Sequence, residues 1–163
     1  MILKIAPGLI RKALPGGQIV PVVKGRPDLP EIDLTKVRFL TIRNRSKVSS
    51  TIKWARLVAF MERQLRKGFL TLGAREFMAI FCSKRVGKWL EKYPGRSPWI
   101  FGSGGLIGFP DGLVKMPGKK LSYDVALWIP PEGWHVRVFD ADDEGAYPDW
   151  HSYLRLPVYP IKG

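Results

Sequence analysis

The 163-residue sequence contains one cysteine, one asparagine, two glutamines and two histidines. A single thiol, Cys82, excludes an intramolecular disulfide and a zinc site built from cysteines. It stands in the apolar stretch Met78-Ala79-Ile80-Phe81-Cys82, where a thiol packs as a small hydrophobe. Long apolar runs are missing too, and none approaches the roughly 20 residues that a membrane-spanning helix needs. The opening Met1-Ile2-Leu3-Lys4-Ile5 has no extended apolar stretch of the kind a secretory signal requires, so the expected location is the cytoplasm or the interior of a virion. Asn44, Gln18 and Gln64 are the only side-chain amides, and prolines number 14. Few thermolabile amides and many loop prolines point to a thermophilic source.

Acidic residues are also few: 14 Asp and Glu face 27 Lys and Arg, a formal net charge of +13. A compact fold with that excess repels itself until a polyanion neutralises it. Nucleic acid, with DNA preferred, is the expected partner, and an anionic membrane surface ranks behind it. The excess is one-sided. Up to Pro98 there are 21 Lys and Arg against 6 Asp and Glu, and from Trp99 onward there are 6 against 8. That asymmetry suggests one part meeting a polyanion and another facing solvent or further subunits.

The punctuation of the chain divides it into three parts. Residues 1–36 carry Pro7, Pro15, Pro21, Pro27 and Pro30, which forbid a long helix or a central strand, so a basic extended arm is expected. Within it, Ile2–Ile5 and Gln18–Val23 are candidate edge strands. Residues 37–98 open with a strand-like run, Val37–Arg43. A helix capped by Ser49 or Ser50 and running to about Lys67 follows, then a second from Ala74 to about Lys92. A linker of roughly five residues between them predicts an antiparallel two-helix hairpin. Residues 99–163 are near neutral and rich in aromatic and β-branched segments, namely Trp99–Phe101, Leu121–Ile129, Gly133–Asp140 and Ser152–Tyr159. They predict a small antiparallel β region for assembly, with a hairpin turn at Pro130-Pro131-Glu132-Gly133. The expected fold class is thus α+β. In layout alone, a basic arm followed by a helical hairpin is loosely similar to coat proteins of filamentous archaeal viruses; no sequence motif carries the likeness, and it stops short of residues 99–163.

The candidate nucleic-acid-binding residues are cations at regular spacing. At 100° per residue, Lys53, Arg56, Phe60, Arg63 and Lys67 share an arc of roughly 80° on the first helix. Ile52, Ala55, Val58, Ala59 and Leu65 lie largely outside that arc and are free to pack. Lys84, Lys88 and Lys92 repeat every four residues on the second helix beside Arg85, while Arg43, Arg45 and Lys47 alternate along extended chain. A solvated helix face ordinarily mixes signs, yet Glu62, Glu76 and Glu91 are the only acids in the two predicted helices. Such a row neutralises successive phosphates and releases their condensed counterions. Base reading has little support, because Asn44 is the one asparagine available for it, so weak sequence preference is expected. Trp54, Phe60, Trp89 and Tyr93 are able to stack on bases, although core packing is the preferred reading.

Other patterns carry less. Asp140-Ala141-Asp142-Asp143-Glu144-Gly145 opens like a calcium loop, but position twelve is His151 rather than glutamate, so a surface turn is expected. Gly102-Ser103-Gly104-Gly105-Leu106-Ile107-Gly108 is followed by Phe109-Pro110-Asp111-Gly112 rather than by a helix, which excludes a phosphate loop and suggests a flexible turn. No motif identifies an enzyme, and neither a metal nor a cofactor is expected. The composite expectation is a structural protein that coats or compacts nucleic acid and self-associates, as a virion nucleocapsid or coat protein does. Two alternatives remain: a virion connector binding an acidic protein, or a metal-dependent nuclease using Asp140, Asp142, Glu144 and His135.

Overall fold

The structure, a computed structural model, describes residues 2–42, 53–81, 105–129, 132–141 and 154–161. The first 42 residues are not an extended arm. They form β1 (Ile2–Lys4), α1 (Pro7–Ala13), β2 (Gln18–Val20), β3 (Glu31–Asp33), a 3₁₀ turn (Leu34–Lys36) and β4 (Arg38–Thr41). Pro7 is the first residue of α1, where its fixed φ suits a helix and its missing N–H costs nothing. The prolines therefore shortened the elements without dissolving them. β1 pairs antiparallel with β3 in a two-stranded ribbon, and Ile5, Ile32 and Leu34 are buried beneath it.

α2 (Trp54–Arg66), β5 (Phe69–Thr71) and α3 (Ala74–Phe81) follow, then β6 (Gly105–Lys115), β7 (Ser122–Ile129), β8 (Gly133–Asp140) and β9 (Leu154–Pro160). Among the described residues the large sheet has seven strands: β4, β9, β6, β7 and β8 in that order, with β2 added to β6 and β5 added to β9. All its pairings are antiparallel except β6 with β9. This corrects the expected fold class. The β region is not a small C-terminal appendix, since β2, β4 and β5 come from the N-terminal part and complete one sheet. The glycine-rich run Gly105–Gly108 is not a turn but the start of β6, an eleven-residue strand. β7 and β8 do pair antiparallel along their length, with Ile129 opposite Gly133; Pro130 and Pro131 of the expected turn lie outside the described residues.

The two helices are not a hairpin. Leu57 and Met61 of α2 cluster with Tyr123, Val125, Leu154 and Leu156, whereas Phe77, Met78 and Ile80 of α3 cluster with Ile107, Phe109 and Ala126. Val125 and Ala126 are consecutive in β7 and so point to opposite faces of the sheet. α2 and α3 therefore cover opposite faces. The linker between them is itself β5, and it crosses from one face to the other at the sheet's edge. α2 also starts later than expected: Lys53 occupies its N-cap without a side-chain cap, and Ser49 and Ser50 lie outside the described residues. Ala55 and Ala59 are exposed rather than packed. The second half of the expected second helix, residues 82–92, lies outside the described residues.

Two backbone contacts fix the crossing. Leu72 donates its N–H to the Pro157 carbonyl at 2.9 Å, and the bulge between Phe109 and Val114 in β6 brings the Asp111 backbone onto Gly73. A Cβ on Gly73 would lie 1.4 Å from the Asp111 carbonyl oxygen, so no side chain fits without backbone movement. Gly73→Ala is expected to destabilise the fold by about 4 kcal/mol or more in urea unfolding. A Cβ added to Gly8 in α1 would meet nothing within 4 Å among the described residues, so Gly8→Ala is expected to stabilise by about 0.5–1 kcal/mol. Equal, small effects from both would contradict this packing.

Candidate nucleic-acid interface

α2 is anchored on its inner side by Leu57, Met61 and the buried Gln64. Trp54 stacks on Tyr123 with centroids 5.5 Å apart, and Tyr123 stacks on Phe139 at 6.1 Å. Phe60 is half-buried against the same cluster. Both aromatics thus serve the core; Trp89 and Tyr93 lie outside the described residues. The outer side of α2 carries the expected cations: Lys53, Arg63 and Lys67 are exposed and Arg56 is half-buried. Arg66 joins them, also exposed, and Glu62 is the one acid on the helix. Of the remaining candidates, Arg43, Arg45, Lys47, Lys84, Arg85, Lys88 and Lys92 all lie outside the described residues.

Two further cations belong to this face and were not singled out from the sequence. Arg38 shares the face of Leu40 in β4 and of Ile42 just beyond it, the latter packed in the α2 cluster. Its guanidinium lies 5.7 Å from the Phe69 ring centroid, beside the chain leaving the C-terminus of α2. Arg137 is exposed and sits directly opposite Val125, another member of that cluster. Only the strand register shows that both flank α2, because each is an isolated cation in its own segment. Helix electrostatics account for part of the row. Arg63, Arg66 and Lys67 complement the negative C-terminal end of the helix dipole, but Lys53 stands at the positive end, where a cation is unfavourable. Folding alone gives no reason for Lys53.

A second charged assembly is buried. Arg26, whose side chain is 4% exposed, places Nη2 2.6 Å from Glu76 Oε1 and Nε 3.3 Å from Asp111 Oδ2. Its Nη1 lies 3.6 Å from Asp28, which also meets Arg75 at 3.5 Å. Glu76 Oε2 accepts from the Gly73 N–H at 2.9 Å and so caps the first turn of α3. Burial works against the charge of Arg26, yet Glu76, Asp111 and Asp28 outweigh it and the guanidinium is held more firmly protonated. Burial pushes the Asp111 carboxyl up to about 6, with Arg26 and the Val23 amide pulling against it and Glu76 adding to it. Above the cluster opens a cleft of about 300 Å³ bordered by Ile19, Pro21, Arg26, Asp28, Arg75, Asp111 and Gly112.

The residues of the nuclease alternative are not drawn together where they are described. His135 and Asp140 occupy odd and even positions of β8 and so face opposite sides, and His135 lies 3.1 Å from Glu132. Asp142 and Glu144 lie outside the described residues. Among the described residues, no three His, Cys, Asp or Glu side chains group as metal ligands do. Nor is any described helix long and apolar enough to cross a membrane. Comparison of the chain with protein-family models, curated proteins and solved structures finds no match.

Two buried carboxyls give the fold a pH signature. Asp124 is 7% exposed, its Oδ2 has no hydrogen-bond partner among the described residues, and burial alone pushes it up to about 6, the value that Asp111 reaches through burial and its charged neighbours. Raised folded values mean that the native state binds more protons than the unfolded state between roughly pH 4 and pH 6. Their stabilising contribution is full below the unfolded value of 3.8 and is lost as the pH rises through about 6. Stability in urea is therefore expected to rise on going from about pH 8 to about pH 5. Asp124→Asn should stabilise at the higher pH, by on the order of 2 kcal/mol, and flatten the profile. A destabilised Asn variant with the original slope would contradict this.

Proposed function

We propose that this chain is a structural nucleic-acid-binding protein that lies along the phosphate backbone with little sequence preference, as a coat or compacting protein does, within a virion or the cytoplasm. The observation that carries the reading is the exposed row Lys53, Arg63, Arg66 and Lys67 on a helix whose opposite side is locked into the core. Arg38 and Arg137 widen the row on either side. Contacts of such cations with phosphates position a protein without specifying sequence, and the described face offers neither asparagine nor glutamine to read adenine. Gln64, on the same helix, is turned into the core.

Self-association is the second half of the proposal. Val136 and Val138 of β8 are 53% and 60% exposed on the sheet face away from α2. Subunits meeting through that side would leave the basic face open to the nucleic acid.

Binding of two unrelated duplexes, followed by fluorescence anisotropy across a salt series, tests the reading. Both should bind alike, with log affinity falling linearly with log salt. Arg63→Gln combined with Lys67→Gln should make the slope shallower by about 1.8, at roughly 0.9 for each phosphate no longer neutralised. No affinity at low salt, or a slope unchanged by the double variant, would overturn it.

A further inference from the structure

A second group of cations gathers at one end of the sheet. The stretches 6–20 and 112–121 hold Arg11, Lys12, Lys115, Lys119 and Lys120 and not one Asp or Glu. Strand pairing brings the two stretches together: Gln18 of β2 lies opposite Lys115 of β6, and the chain from Leu14 to Gly17 abuts Met116. Arg11 and Lys12 stand in the last turn of α1, just before Leu14. Four of the five cations are exposed, and the half-buried Lys115 donates from Nζ to the Lys119 carbonyl at 2.7 Å. Among the described residues none of the five forms an ion pair. Asp140, brought to the same end opposite Ser122, pairs with none of them. Like charges assembled in this way repel one another, and the α1 dipole accounts only for Arg11 and Lys12.

The group is continuous with the α2 face. Trp54, the first residue of α2, stacks on Tyr123, the second residue of β7. Lys53 therefore stands at the end of the sheet where β6 turns into β7. That turn passes between faces: Met116 packs in the cluster beneath α3, and Leu121 packs in the cluster beneath α2. Lys119 and Lys120 lie on the turn, and α1 lies beyond it, with Leu9 and Leu14 packed on the α3 side. Positive charge thus runs from Arg63 and Lys67 along α2 to Lys53, then round the corner of the sheet to α1. Lys53, unfavourable at the positive end of its helix, links the two parts.

We propose that one DNA duplex follows this path. Its phosphates meet α2 first and then Lys119, Lys120, Arg11 and Lys12, so the duplex bends toward the protein at the end of the sheet. The added phosphate contacts offset the elastic cost of the bend. This rests on the phosphate binding proposed for the α2 face, to which it adds a direction and a curvature.

Energy transfer between dyes at the two ends of a duplex of about 30 base pairs, combined with the salt dependence of binding, tests it. The full chain should raise the transfer at saturation. Lys119→Gln with Lys120→Gln should make the log–log salt slope shallower by about 1.8 and remove most of the gain in transfer. Arg11→Gln with Lys12→Gln should do the same. Thermal unfolding checks both pairs, and if the α1 pair does not fold, the exposed turn lysines decide alone. A slope unchanged by the folded turn pair would overturn the proposal. So would shallower slopes without any gain in transfer by the unaltered chain, because the end patch would then hold a separate duplex. A slope that responds to Arg63→Gln with Lys67→Gln but not to the turn pair sinks the path alone. The reverse sinks the α2 reading, and the continuous path with it.

Discussion

A guanidinium that is 4% exposed joins three distant parts of the chain: Arg26 from the segment after β2, Glu76 from the first turn of α3, and Asp111 from the bulge of β6. A charge so deep is tolerated only because carboxylates surround it, and removing one partner from such a group typically costs about 3–5 kcal/mol. The same place holds the Gly73–Asp111 backbone approach, so side-chain charge and backbone packing fix one crossing together. From that crossing α3 is sent to one face of the sheet, while α2, before β5, is left on the other.

The separation of the helices divides their work. α3 is almost wholly buried, with Phe77 and Phe81 packed on Phe109 and Phe81 on Trp134. α2 gives one side to the core and keeps a cationic side outward. Because the sheet beneath it also presents Arg38 and Arg137, the basic surface is a property of a sheet face and not of one helix. Two helices packed against each other would have consumed part of that surface.

Much of the local structure was legible in the residues. β7, β8 and β9 fall on segments whose aromatic and β-branched content predicts strands, and the outward cations of α2 follow from helical periodicity. The topology was not. The β2, β4 and β5 strands have three or four residues each, too short for period-two patterning to show whether they stand alone or join a sheet. β6 was hidden for another reason: its glycines, Pro110 and Asp111 are turn formers, and here they build a bulge inside a long strand. Linker length misled as well, since a short connection ordinarily makes neighbours of two helices, and β5 turned it into a passage between faces. The same limit applied to the interface. Periodicity found Lys53, Arg56, Arg63 and Lys67, whereas Arg38 and Arg137 join them only through pairing across β9 and β7.

Amide hydrogen exchange of the full chain, with and without duplex DNA, puts the role of the α2 face to its sharpest test. Slowed exchange is expected at the first and last turns of α2 and around Arg38 and Phe69, with α3 and the β1–β3 ribbon unchanged. Protection confined to α3 or the ribbon, or none at saturating DNA, would contradict the claim that the α2 face carries the function.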